Sequence, residues 1–316
     1  MASTTTTRGE ITFDQAAPAR SLWSDALRRL MRNKMAVASM VVITFFFVIA
    51  VSAPLIAPHD PTFQSRIRTG GGVELPPFWT TDGKPGYPLG TDVSGRDVLS
   101  RIMYGAQVSL SVGFIPMFII LIIGTIVGMN AGFRGGWVDS LLMRITDVTY
   151  AFPDLLFLLI VISALRDTPI ASLLGGLPLM FIALSLIGWV GVARLVRGQV
   201  LSLREKEFVE AARSIGTSNG QIMMRHLLPN SLAPLIVSAA FGVPGFILAE
   251  SFLSYIGIGV RPPIATWGGI ISDGFASINS SPHLVWVPAT CIGLLTLSFT
   301  FLGDGLRDAL DPRMKL

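Results

Sequence analysis

The side chains best placed for chemistry stand in one short polar stretch, Glu207-Phe208-Val209-Glu210-Ala211-Ala212-Arg213-Ser214-Ile215-Gly216. Phe208, Ala211, Ala212 and Ile215 recur at i, i+3, i+4 and i+7, one face of a helix. Glu207, Glu210 and Ser214 fall on another. Gly216 stands at the position after a helix where positive φ costs least. A second short helix is expected from about Ser218 to Leu227, ended by Pro229, with Asn230 or Ser231 capping the helix that follows. This pattern suits docking rather than bond-making. Small Ala211 and Ala212 permit close packing, and Glu210 offers a carboxylate. Taken alone, Glu-Ala-Ala is also plain helix-forming composition. Gly216, the Leu228-Pro229 pair and the placement argued below favour docking.

Three further carboxylates, Asp147, Asp154 and Glu250, lie in apolar surroundings. A mid-bilayer aspartate costs about 2.5–3.5 kcal/mol, so none of them is expected to face lipid. Asp147 and Glu250 are candidates for lining a solute path, with a structural hydrogen bond the equal alternative. Asp154 follows Pro153 near a bend and reads as structural. His59, His226 and His283 are not spaced as metal ligands, and solvated or capping roles suit them better. Cys291 is the single cysteine, which excludes an intrachain disulfide and a cysteine metal site. No G-x-x-x-x-G-K-[ST] phosphate loop occurs; the only Gly-Lys pair, Gly83-Lys84, precedes Pro85. H-E-x-x-H and G-x-S-x-G are also missing. The chain is expected to be no enzyme, with no cofactor and no metal of its own.

The elements that position these residues follow from composition. Hydrophobic residues make up 51% and charged ones 14%, against about 25% charged in soluble chains. The deficit is concentrated in long charge-free windows, each about the 20 residues that a membrane-spanning helix needs. Backbone in hydrocarbon must bond internally, and no barrel-like alternation is present. An all-α membrane protein with six transmembrane helices is therefore expected. Residues 1–20 read as a disordered tail and 21–34 as an amphipathic surface helix. The first transmembrane helix covers 35–57; its apolar run is too long for a signal core. An extracytoplasmic loop spans 58–101, with Asp92 or Ser94 capping the next helix. The transmembrane core covers 102–306. Within it lie spans at about 102–133, 140–165, 177–196, 231–256 and 284–303, the polar segment 197–230, and a Pro/Gly-rich connection at 257–283. Gly124-x-x-x-Gly128 suits tight helix packing. A short tail, 307–316, closes the chain.

Orientation follows from Lys and Arg. With the N-terminus inside, inner segments hold 17 of the 24 basic residues and outer segments 7. By the positive-inside rule both termini and segment 197–230 are expected to face the cytoplasm. The net charge of +4 is thus a topology signal, and no nucleic-acid partner is expected.

Glu210-Ala211-Ala212, Gly216 and Leu228-Pro229 together resemble the EAA loop of binding-protein-dependent ABC importer permeases. His226 departs from the general pattern, where many members have Ile. Arg225-His226-Leu227-Leu228-Pro229-Asn230 is similar to the dipeptide/oligopeptide/nickel branch. So are Ala53-Pro54-Leu55-Ile56-Ala57-Pro58-His59-Asp60-Pro61, Leu89-Gly90-Thr91-Asp92 with Gly95-Arg96-Asp97-Val98-Leu99-Ser100-Arg101, and Ala249-Glu250-Ser251-Phe252-Leu253-Ser254-Tyr255 followed by Pro262-Pro263 and Trp267-Gly268. The resemblance covers roughly residues 20–316 and fits the shorter of the two permease types. It implies the ABC type I importer permease fold in a prokaryotic plasma (inner) membrane, in contact with lipid. It implies a homologous second permease, two cytoplasmic ABC ATPases that hold ATP and Mg, and an extracytoplasmic substrate-binding protein. ATPase coupling would fall to Glu207, Glu210, Ala211, Ala212, Gly216, Leu228 and Pro229. Di- or oligopeptides are the implied cargo, with nickel or oligosaccharides as alternatives. The rival reading is an ion-gradient-driven carrier, but the sequence shows no clear internal repeat of the kind such carriers have.

Overall fold

The computed structural model describes residues 22–65 and 74–311. The expected tail at 1–20, the glycine run Gly70 to Gly72 and the last five residues lie outside that range. Among the described residues the architecture is all helix, with two isolated bridges and no strand.

Helix α1 (Leu22–Arg32) buries Ala26 and Leu30 against Ala36 and Ala309. Asn33 separates it from α2 (Lys34–Ile56), where its side chain accepts from Met35 N at 3.1 Å and Ala36 N at 3.2 Å. This satisfies two of the donors a helix start leaves open. Helix α3 (Val98–Arg134) is 37 residues long, far more than a bilayer core requires. Its cap is Asp97, which accepts from Ser100 N at 2.9 Å. Asp92 and Ser94, the expected caps, lie in the turn before it. Asp92 is engaged otherwise: Oδ1 accepts from Ser94 N and Arg96 N, and Oδ2 takes Arg96 Nε at 2.7 Å and the Arg101 guanidinium.

The expected third span is broken. Helices α4 (Gly136–Tyr150) and α5 (Asp154–Ala164) meet at 84°. Pro153 sits at the break, where it has no N–H to continue the helix ladder. After the short α6 (Pro169–Ser172) and a tight turn, Gly176 at φ 91° admits α7 (Leu177–Leu203). Next come α8 (Glu207–Ser214), α9 (Asn219–Ile222), a single π-turn at Met223–Leu227 and α10 (Leu228–Tyr255). The connection after α10 contains a helix that composition did not reveal, α11 (Trp267–Phe275). Thr266 caps it by accepting from Gly269 N at 2.9 Å. Trp267 and Ile270 are buried, which ties α11 to the bundle, and Trp267 Nε1 donates to Ile102 O at 3.0 Å. Helix α12 (His283–Leu310) ends the described chain. Among the described residues five helices are long and apolar enough to span a membrane, and six if the α4–α5 pair counts as one.

Two features set the positions of these helices. Along α3, Gly124, Gly128 and Gly132 face Val192, Ala193, Val196, Arg197 and Val200 of α7. A Cβ at Gly128 would stand 2.4 Å from Ala193 O, so glycine alone permits this approach. At the end of the bundle remote from α8, Arg96 Nη2 and Arg101 Nη1 reach Asp273 Oδ2 of α11 at 2.8 and 2.9 Å. With Asp92 they form a mostly buried knot that pins the long connection to α11.

Candidate functional site

Helix α8 stands at the end of the bundle where α3 and α7 finish. Arg204, just past α7, donates to Gly132 O at 2.8 Å and so holds the approach to α8 against α3. Only Val209 and Ala212 of α8 are buried, joining the core that includes Phe133, Val200, Ile222 and Leu227. The Arg213 guanidinium lies 5.5 Å from the Phe133 ring centroid.

The helix ends in a Schellman turn. Thr217 N bonds Ala212 O at 3.0 Å and Gly216 N bonds Arg213 O at 2.9 Å. Gly216 has φ 79°, the left-handed conformation this turn needs. The face expected from periodicity, Phe208-Ala211-Ala212-Ile215, is not the one packed inward. Phe208 and Ala211 are exposed, and Ile215 is 83% exposed. The reason is that α8 has only eight residues and rests on the bundle along the narrow Val209–Ala212 line. Glu207, Glu210, Ala211 and Ile215 therefore all project into free space on a helix fixed at both ends.

Pro229 does not end the second helix. Ser218 starts α9, its N–H donating to Gln221 Oε1 at 3.4 Å. The chain then runs helically from Asn219 to Tyr255 through the π-turn. Leu228 N bonds Met223 O, five residues back. This wider turn accommodates Pro229, which has no N–H to give. Asn230 and Ser231 act as donors rather than caps: Asn230 Nδ2 reaches His226 O at 2.6 Å and Ser231 Oγ reaches Leu227 O at 2.9 Å. Leu228 is half-buried and Pro229 exposed. The Phe208 and His226 rings, 6.3 Å apart, link α8 to the π-turn. The seven residues expected to act together are thus gathered at one end of the bundle.

Charged groups that sequence reasoning did not pair brace this end. Arg197 of α7 binds Asp139 of α4 through two bonds, 2.6 and 2.7 Å. Arg194 binds Asp147 at 2.7 Å and lies 4.4 Å over the Tyr150 ring. The available signal was basic residues three apart on one apolar helix and acids on the next, but spacing within each helix does not reveal register between them. Asp147 is exposed. Glu250 is fully buried and accepts from Ser254 Oγ at 2.7 Å and Ser251 Oγ at 3.4 Å. The two path candidates therefore do not share one open surface. Asp154 is exposed at the start of α5. His59 stacks on Tyr87 at 4.5 Å and His283 is buried at the start of α12. Among the described residues no three His, Cys, Asp or Glu side chains are grouped to hold a metal.

The site is thus a short, outward-facing helix at one end of a bundle of membrane-length helices. Comparison with known families gives it a place. The model of the binding-protein-dependent transport system inner membrane component matches residues 120–316, and that of the N-terminal TM domain of oligopeptide transport permease C matches 21–77. The chain belongs to this family of ABC importer permeases. It is 41% identical over 296 residues to the oligopeptide transport system permease protein OppC of Haemophilus influenzae, covering 93% of this chain and 89% of the relative. It is 40% identical over 299 residues to the dipeptide transport system permease protein DppC of Bacillus subtilis, covering 94% and 88%. A chain of the MetNI methionine ABC transporter, in an inward-facing conformation, shares the fold at a TM-score of 0.52 and 19% identity, covering 66% of this chain and 96% of that one. The ABC type I importer permease fold read from the sequence is the fold observed. The protein is a multi-pass inner-membrane permease subunit and not an enzyme. Permeases of this family operate with a second permease, ATPases and a binding protein.

Proposed function

We propose that this chain forms a heterodimeric pore with a homologous second permease and carries di- or oligopeptides delivered by an extracytoplasmic binding protein. Both termini and the α8 end face the cytoplasm, where two ATPases holding ATP and Mg dock. The observation that carries this reading is α8 itself. It is anchored by Val209 and Ala212 and closed by the Gly216 turn, and it presents Glu207, Glu210, Ala211 and Ile215 outward. A short helix that buries two residues and displays apolar Ile215 at 83% exposure suits insertion into a cleft on another protein. Leu228 and Pro229 open α10 just past the π-turn.

Peptide cargo is supported by the relatives named for oligopeptide and dipeptide transport. The family shown here removes the motive for the ion-gradient alternative. The experiment is uptake by proteoliposomes containing this chain, its second permease, the ATPases and the binding protein. Peptide accumulation that requires ATP and all four components is expected. Uptake by this chain alone along an ion gradient would overturn the proposal, and accumulation of nickel or oligosaccharide in place of peptide would replace its cargo.

A further inference from the structure

The break between α4 and α5 exposes backbone that lipid cannot satisfy. Non-helical backbone at membrane depth is stable only when buried in protein or bordering water. This break is not buried within the chain: Ala151, Phe152 and Pro153 are exposed, and Tyr150 is 65% exposed.

One turn before the break stands a second, independent sign. Asp147 and Arg194 pair in the open, with side chains 66% and 39% exposed. Arg194 precedes the end of α7 at Leu203 by about 14 Å along the helix axis. A charged pair left exposed on an apolar helix such as α7 avoids lipid. Both features require water or protein on the same face.

Resting on the importer function proposed above, we infer that Asp147, Tyr150 and Arg194 line the water-filled passage of the assembled transporter. There the ion pair acts as a transient station for the charged termini of a peptide. The pair is joined by one bond, Arg194 Nη2 to Asp147 Oδ1. The second carboxylate oxygen and the other guanidinium N–H groups have no hydrogen bond to the described protein. A zwitterion can therefore exchange partners at this site. Its ammonium goes to Asp147 and its carboxylate to the Arg194 fork, with charge pairing kept throughout. Because the pair is neutral as a whole, the passing peptide is held weakly and leaves again. A bare divalent cation would meet the guanidinium beside the carboxylate, and a neutral sugar would have to part the pair without replacing either charge. The site thus favours peptides over the two alternative cargoes.

The test uses the complete transporter in liposomes with Cys291→Ser, so that introduced cysteines are the only ones in this chain. Tyr150→Cys is expected to react with a membrane-impermeant thiol reagent about 10-fold faster than Val48→Cys, whose site is an exposed apolar position on α2, as water contact at a charged site requires. Saturating dipeptide is expected to slow that reaction. Asp147→Asn is expected to lower uptake of a free dipeptide about 10-fold, the worth of one charge-assisted bond, and to spare its N-acetylated form. ATPase co-purification with each variant verifies assembly. Labelling of Tyr150→Cys no faster than Val48→Cys, or cross-linking to the second permease instead, would overturn the lining. Equal loss of free and acetylated peptide would overturn the station. If the wild type imports no peptide while Tyr150→Cys still labels, the cargo reading fails and the passage stands.

Discussion

At the scale of single residues, Gly216 and Glu210 separate two demands on the docking helix. A Cβ at Gly216 would meet no atom within 4 Å, so a substitution there acts through the backbone alone. At φ 79° a β-branched side chain is strained by about 1–3 kcal/mol. Gly216→Val is therefore expected to distort α8 and uncouple uptake while the transporter still inserts. Normal uptake by this variant would show that the turn does not carry coupling. The Glu210 carboxylate has no hydrogen-bond or ion-pair partner among the described residues. Glu210→Ala is expected to leave the fold intact and to weaken ATPase retention by roughly 1.5–3 kcal/mol, the worth of a charge-assisted bond. Unchanged co-purification of the ATPases would remove Glu210 from the interface. Gly216 was legible in the sequence because a glycine after a short amphipathic run has few other uses. The inward face of α8 was not legible. Val209 lies off the stripe drawn through Phe208, and only the position of Phe133 and Val200 decides which line packs.

At the scale of elements, the α3–α7 seam makes a contrast of glycines. Gly128 lies against the backbone of α7, and even one methyl group would overlap Ala193 O. Gly198, on α7 itself, has open space around it. Gly128→Ala is expected to destabilise the subunit by about 1–3 kcal/mol, the cost of overpacking, and to lower its thermal midpoint in detergent. Gly198→Ala is expected to be neutral or slightly stabilising, since alanine favours helix. Equal midpoints for the two variants would mean the helices separate easily along this line. The Gly124-x-x-x-Gly128 spacing announced the seam, and charge-free windows of membrane length announced most of the spans. Helix α11 was not legible, because Gly268, Gly269 and Gly274 mark it as a loop. Buried Trp267 and Ile270 stabilise it as a helix through contacts distant in sequence. Pro229 misled in the same way, since the π-turn that tolerates it depends on the helix continuing on both sides.

At the scale of the whole molecule, the orientation proposed from the 17-to-7 charge count can be read from two exposed positions at opposite ends of the bundle. Thr81→Cys and Ser218→Cys, in a Cys291→Ser background, are expected to label from opposite sides of the membrane, Thr81 from outside. Labelling of both from one side would refute the topology. The ends differ in construction as well. Beside α11 the knot of Asp92, Arg96, Arg101 and Asp273 welds the long connection to the bundle, whereas α8 rests on two side chains. Between these ends runs the continuous helical stretch from Asn219 to Tyr255, π-turn included, 37 residues or about 55 Å. Such a rod is a lever with its short grip beside the docking helix. A tilt of only about 10° at the grip would sweep the far tip through roughly 10 Å over that length. A tilt of that size would have to carry α3, α11 and α12 with it, because Leu235, Val243 and Ile247 of this helix are buried in the shared core.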